Sequence, residues 1–110
     1  LKPLINALKN DVAAVRLWSS SSLAEIGSIS SENAELAAEQ LLISLKIDNE
    51  IGVRSNCIWS LSRLFDKLNE TFQESFVDEC TKIALFDKEP SVMEEAKTAL
   101  DSMGMESFYN

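Results

Sequence analysis

At 110 residues, with 45% hydrophobic and 25% charged side chains, the chain has the make-up of one soluble globular domain rather than a disordered segment. Its formal charge of −8, with no histidine, argues against nucleic acid and anionic membrane surfaces as partners, because both are recognised through clustered Lys and Arg. The longest apolar runs, such as Leu41-Leu42-Ile43, fall far short of the roughly 20 residues that cross a bilayer.

Periodicity and punctuation predict six helices and no strands. The first runs from about Lys2 to Lys9, with Pro3 tolerated in its first turn, and Asn10-Asp11 marks the turn that follows. The second spans roughly Val12 to Ser28 and ends at Gly27. Ser31 or Asn33 can cap the third, which continues to about Lys46. Asp48-Asn49 then turns the chain into a fourth helix from about Ile51 to Leu68. The fifth is expected over Glu70 to Phe86 and the sixth over Pro90 to Met103, with Asp87 as a candidate cap and Pro90 in the first turn. Glu106 to Asn110 is too short to assign.

These helices repeat. Val15-Arg16 returns as Val53-Arg54 and, imperfectly, as Val92-Met93, at spacings of 38 and 39 residues. A shift of 77 residues lays Ala7, Leu8, Val15, Leu23, Ile26 and Gly27 over Ala84, Leu85, Val92, Leu100, Met103 and Gly104. The middle unit fits the same columns through Leu45, Asp48, Val53, Leu61 and Leu64, with one residue added in a turn, where it costs little. Recurrence at a fixed interval predicts stacked helical hairpins in a single domain, residues 1–110, with repeats at about 1–30, 31–69 and 70–104. Because the chain opens on Leu1, and Leu1, Leu4 and Ile5 are not the polar surface of a capping repeat, it reads as a segment of a longer solenoid. No basic start followed by an apolar core suggests a signal peptide.

Turning each second helix at 100° per residue separates two faces. Val15, Ser19, Ser22, Leu23 and Ile26 share one side, as do Val53, Cys57, Ser60, Leu61 and Leu64, then Val92, Ala96, Ala99, Leu100 and Met103. This side is the predicted core, with small residues allowing close helix approach. Cys57 falls in the column of Ser19 and Ala96. With no CxxC and no histidine to complete a metal set, Cys57 and Cys80 read as reduced core thiols rather than a disulfide. That implies an intracellular setting, cytoplasmic rather than nuclear.

The opposite side carries the candidate binding residues. Leu17 points away from the core, Trp59 lies well outside it, and Trp18 and Ile58 sit at its margins. In the third repeat the corresponding columns hold Glu94, Glu95, Thr98 and Asp101, so this face turns from apolar to acidic along the array. Acidity is concentrated in residues 56–110, with 11 acidic and 5 basic side chains, against 7 and 5 in residues 1–55. A basic, amphipathic segment of a protein partner complements that gradient.

Catalytic chemistry has little to draw on. Without histidine there is no Ser-His or Cys-His nucleophile and no HExxH site, and no Gly-rich phosphate loop occurs, so no enzyme, cofactor or metal is expected. Glu94 and Glu95 are adjacent on a helix and diverge, which suits solvation. In the run Ser19 to Ser22, Ser19 and Ser22 face the core, leaving Ser20 and Ser21 within reach of a kinase. Asn69-Glu70-Thr71 fits a glycosylation triplet by chance.

On these residues the chain resembles HEAT repeats. Pro3-Leu4, Ala7-Leu8 and Asp11 resemble the end of that family's first helix, and Val15-Arg16, Leu23, Ile26 and Gly27 its second. Asp48 and Arg54 stand six apart, as the ladder-forming Asp and Arg do in the family. The resemblance covers residues 1 to 104 and implies an all-α, right-handed superhelical solenoid of three hairpins. It also implies that Arg16 and Arg54 pair with turn carboxylates or carbonyls of their own or adjacent repeats, whereas Met93 cannot. Tetratricopeptide repeats fit less well, since their period is about 34 residues and their Trp, Gly and Tyr pattern is absent. Two roles follow as alternatives. One is a scaffold or adaptor segment that grips a peptide or helix of a partner on its second-helix face. The other is a spacer within a larger HEAT protein, such as a transport or assembly factor, in which Leu1, Leu4, Met105 and Phe108 cover adjacent repeats.

Overall fold

The computed structural model describes residues 1–109, and among them every regular element is helical. Six α-helices follow in order: α1 (Lys2–Ala7), α2 (Ala13–Gly27), α3 (Ser31–Ile47), α4 (Ile51–Leu64), α5 (Glu70–Phe86) and α6 (Pro90–Ser102). A 3-10 turn, Phe65–Lys67, extends α4, and another, Glu106–Phe108, follows α6. No helix is long and apolar enough to cross a membrane among the described residues.

Local chemistry explains most boundaries. Ser30, rather than Ser31 or Asn33, caps α3: its hydroxyl accepts the N–H of Asn33. Asn69 caps α5 in the same way through the N–H of Phe72. The fourth helix is shorter than its apolar pattern suggests, because at Phe65 the backbone tightens into a 3-10 turn before Leu68 becomes extended. Gly104, at φ +73°, ends α6: the N–H of Met105 reaches back to the carbonyl of Leu100 at 2.8 Å, and that of Gly104 to Asp101 at 3.0 Å. Gly27 occupies the matching sequence column but does something else. It is still helical, and a Cβ there would sit 3.0 Å from Leu64 Cδ2 and 3.3 Å from Ala37 Cβ, so its bareness serves close packing.

Helices α2, α4 and α6 lie side by side, α2 against α4 and α4 against α6, while α1, α3 and α5 each pair with the helix that follows. α3 also touches α2, so it bridges successive hairpins. The Cα atoms extend 39 × 28 × 17 Å. Two helical layers 8–10 Å apart, with Cα atoms about 2.3 Å from each axis, need a thickness of about 15 Å. The slab is thus two helices thick and three hairpins long.

One apolar cluster runs through the whole slab, from Leu4 and Leu8 through Leu23, Leu41, Leu45 and Leu61 to Phe76, Ile83 and Leu100. Leu23, Leu61 and Leu100, the recurring leucine column, are all fully buried. At roughly 1.5–3 kcal/mol per buried leucine this column contributes substantially to holding the array together. Val53 and Val92 are fully buried, but Val15 is only half-buried. The difference has a cause in length: α1 has 6 residues, whereas α3 and α5 have 17 each and cover more of the helix beside them. Cys57 and Cys80 are free and buried, and loss of hydration pushes both thiols up to about 12.

Candidate functional site

Two surfaces carry the sequence-selected residues, one at the turns and one on the outer side of α2, α4 and α6. At the turns, Asn10, Asp48 and Asp87 occupy one column, and each turns its side chain back on the backbone. Asn10 Oδ1 accepts from the N–H of Val12, Asp48 Oδ1 from Glu50 and Asp87 Oδ2 from Glu89. Asp87 therefore shapes the turn before α6 instead of capping the helix; Glu89 holds the cap position without a side-chain bond.

The arginines reach forward from one hairpin to the next turn. Arg16 donates from Nε to Asp48 Oδ2 at 2.7 Å and from Nη2 to Oδ1 at 3.3 Å, while Nη1 meets the carbonyls of Asn10 and Asp11. Arg54 does the same one hairpin on, with Nη2 at 2.6 Å from Asp87 Oδ1, Nη1 at 3.2 Å from Oδ2, and Nε on the carbonyl of Leu45. Asp48 and Arg54 thus belong to successive rungs rather than to a pair. The Arg54 bond holds the Asp87 carboxyl below its ordinary value, opposed by burial and aided by the Glu89 N–H. The bond to Asp48 raises Arg16 in turn. Met93 stands in the arginine column of the third hairpin, and a depression of about 530 Å³ lies along this edge between Asn10 and Asp48. Of its charged side chains, Arg16 and Asp48 are already joined to each other in the ladder.

On the outer face, Leu17, Trp18 and Trp59 remain 41%, 60% and 46% exposed. Leu17 leans over Gly52, whose missing side chain makes room for it: a Cβ there would lie 3.1 Å from Leu17 Cδ1. Ile58 is a correction, since it is 1% exposed and does not belong to the surface. The helical wheel put it at the margin of one helix, but α4 has neighbours on both flanks, α2 and α6, so its margins are interior. Ser20 is buried because α4 packs along α2, and it is not open to a kinase. Its carbonyl accepts the hydroxyl of Ser60, and Asn56 Nδ2 donates to the carbonyl of Leu17 at 3.0 Å, so two side chains of α4 stitch it to α2.

Trp59 and Glu95 are brought together. Both line a shallow groove of about 400 Å³ with Ser21, Ser55 and Asn56, and both line a smaller one with Ile58, Ser62 and Thr98. Arg63, one turn beyond Trp59, lies over the indole with its guanidinium carbon 5.1 Å from the ring centroid. Glu94 points away from these grooves and meets Lys97 at 3.7 Å, and Asp101 accepts the hydroxyl of Tyr109. The four α6 residues singled out in the sequence therefore divide: Glu95 and Thr98 join Trp59, and Glu94 and Asp101 do not. Arg63 and Asn56 escaped the sequence reading. Arg63 follows Trp59 at i+4, which is the available signal.

No protein-family model matches this chain, and no curated protein matches it.

Proposed function

We propose that the three hairpins form a short right-handed α-α superhelix of the HEAT type, working inside the cell, in the cytoplasm, as a non-enzymatic scaffold segment. Its outer face on α2, α4 and α6 holds a basic, amphipathic segment of another protein. The observation that carries this reading is the half-exposed Trp59, set between two grooves that it shares with Glu95, a carboxylate with no ion pair among the described residues. Supporting the repeat architecture are the side-by-side second helices and the forward-reaching Arg–Asp pairs. Large aromatic side chains at the centre of an interface contribute most of its affinity, and a face that is apolar on α2 and acidic on α6 favours a cationic amphipathic ligand.

Both tryptophans lie on this face, so their emission reports its occupancy. A synthetic Lys/Leu amphipathic peptide should shift that emission to the blue, while a Glu/Leu peptide of equal length should not. Trp59→Ala should weaken peptide binding about tenfold or more, with Trp18 as the remaining reporter and the melting temperature almost unchanged. A variant that melts earlier yet binds the peptide as before would make Trp59 a packing residue and the array a spacer.

A further inference from the structure

The groove beside Trp59 offers three acceptors close to one aromatic ring, on Asn56, Ser21 and Glu95. Asn56 lines it, with one Nδ2 hydrogen on the carbonyl of Leu17, and its amide oxygen is an acceptor for a visitor. Ser21 also lines it, and its hydroxyl hydrogen is already donated to the carbonyl of Trp18. Glu95 supplies a carboxylate with no ion pair among the described residues. A ligand group that only donates, carries positive charge and has a flat apolar face satisfies all three and the indole together. Among protein side chains that group is guanidinium, which has five N–H donors and no acceptor.

The ring shows the same preference within the chain. Arg63, at i+4, already lies over the indole, while the groove is lined from the opposite direction along α4 by Ser55 and Asn56, at i−4 and i−3. Arg63 lines neither groove. We infer that the groove between Trp59, Asn56 and Glu95 is a receptor for an arginine side chain of the partner protein, stacked on the indole and hydrogen-bonded to the Glu95 carboxylate and Asn56 Oδ1. This rests on the reading of the face as a site for a basic segment, and sharpens it from basic to arginine-bearing. Lysine carries the charge but neither the planar stacking surface nor the forked donor set.

The test uses the full chain, labelled with ¹⁵N, in which Trp18 and Trp59 give two indole N–H signals. Amphipathic peptides of identical leucine pattern, with all polar positions Arg, Lys or Glu, are titrated in turn. The Arg form should bind about three- to thirtyfold more tightly than the Lys form, and should move the Trp59 indole signal more than that of Trp18. Glu95→Gln and Trp59→Leu should each draw the Arg-to-Lys ratio towards one, with the backbone amide signals of the core unchanged as evidence of folding. Equal binding of the Arg and Lys forms to the unmodified chain, both tighter than the Glu form, would overturn the arginine receptor and leave the basic-segment face standing. Equal binding of all three would overturn both.

Discussion

The turn edge and the outer face of the second helices are built from the same repeat, yet they treat it in opposite ways. At the turns the columns are reused: Asp48 and Asp87 close the same kind of turn, and each accepts two bonds from an arginine, Nε and Nη2 of Arg16 and Nη1 and Nη2 of Arg54. On the outer face the columns diverge. Leu17 gives way to Ser55 and Glu94, Trp18 to Asn56 and Glu95, and Ser21 to Trp59 and Thr98. What recurs holds hairpins together, and what changes from hairpin to hairpin distinguishes one stretch of surface from the next. Under the proposed binding role, recognition of a partner would belong to the second kind of position.

That contrast is broken most forcefully in the core. Leu61→Ala removes a fully buried side chain from the central hairpin, which has neighbours on both sides, and should cost about 2–5 kcal/mol in denaturant unfolding. If the loss were under about 0.5 kcal/mol, the idea of a shared seam through three hairpins would fail. Next comes the ladder. Arg54→Met copies the residue that the third hairpin carries at Met93, and removes the guanidinium donors from Asp87, which keeps only the Glu89 N–H, and from the Leu45 carbonyl. The expected cost is about 1.5–3 kcal/mol, read from the same unfolding curves. A variant as stable as the parent would mean the rungs are ornamental.

A smaller effect sharpens the assignment by pH. Because the Asp87 carboxyl is held down in the folded state, its stabilisation is present above the ordinary carboxylate value of about 4 and is lost as pH falls through the depressed folded value. Melting temperatures followed into acid should therefore drop less steeply for Asp87→Asn than for the parent chain, after a lower starting point at neutral pH. Parallel curves would remove Asp87 as the source. The smallest effect on stability is expected at the diverged position: Trp59→Ala, on the outer face, should change unfolding by less than about 1 kcal/mol while abolishing most peptide binding.

The same division governs how far the amino-acid sequence could be read. Helix order and most ends were legible because Pro3, Pro90 and the turn pairs act locally, and α5 runs over Glu70–Phe86 as its pattern predicts. Where two neighbours act, local reading failed. A single-helix projection left Ile58 and Ser20 at the rim, but flanking helices cover both. The 3-10 turn after Leu64 was hidden because Phe65 and Leu68 continue an apolar pattern that a helix would also satisfy. Trp59 and Glu95 were each selected as outward residues, but their meeting across two helices, and the part played by Asn56 in pinning α4 to α2, depend on packing that no one-helix pattern contains.

The ladder also has a direction. Arg16 belongs to the first hairpin and holds the turn of the second, and Arg54 of the second holds the turn of the third. On a ribosome the chain emerges in that order, so when Asp48 leaves the exit tunnel its guanidinium partner has already been synthesised and can be waiting on a formed helix. Each Arg–Asp link can therefore close as soon as the turn that carries its carboxylate has folded.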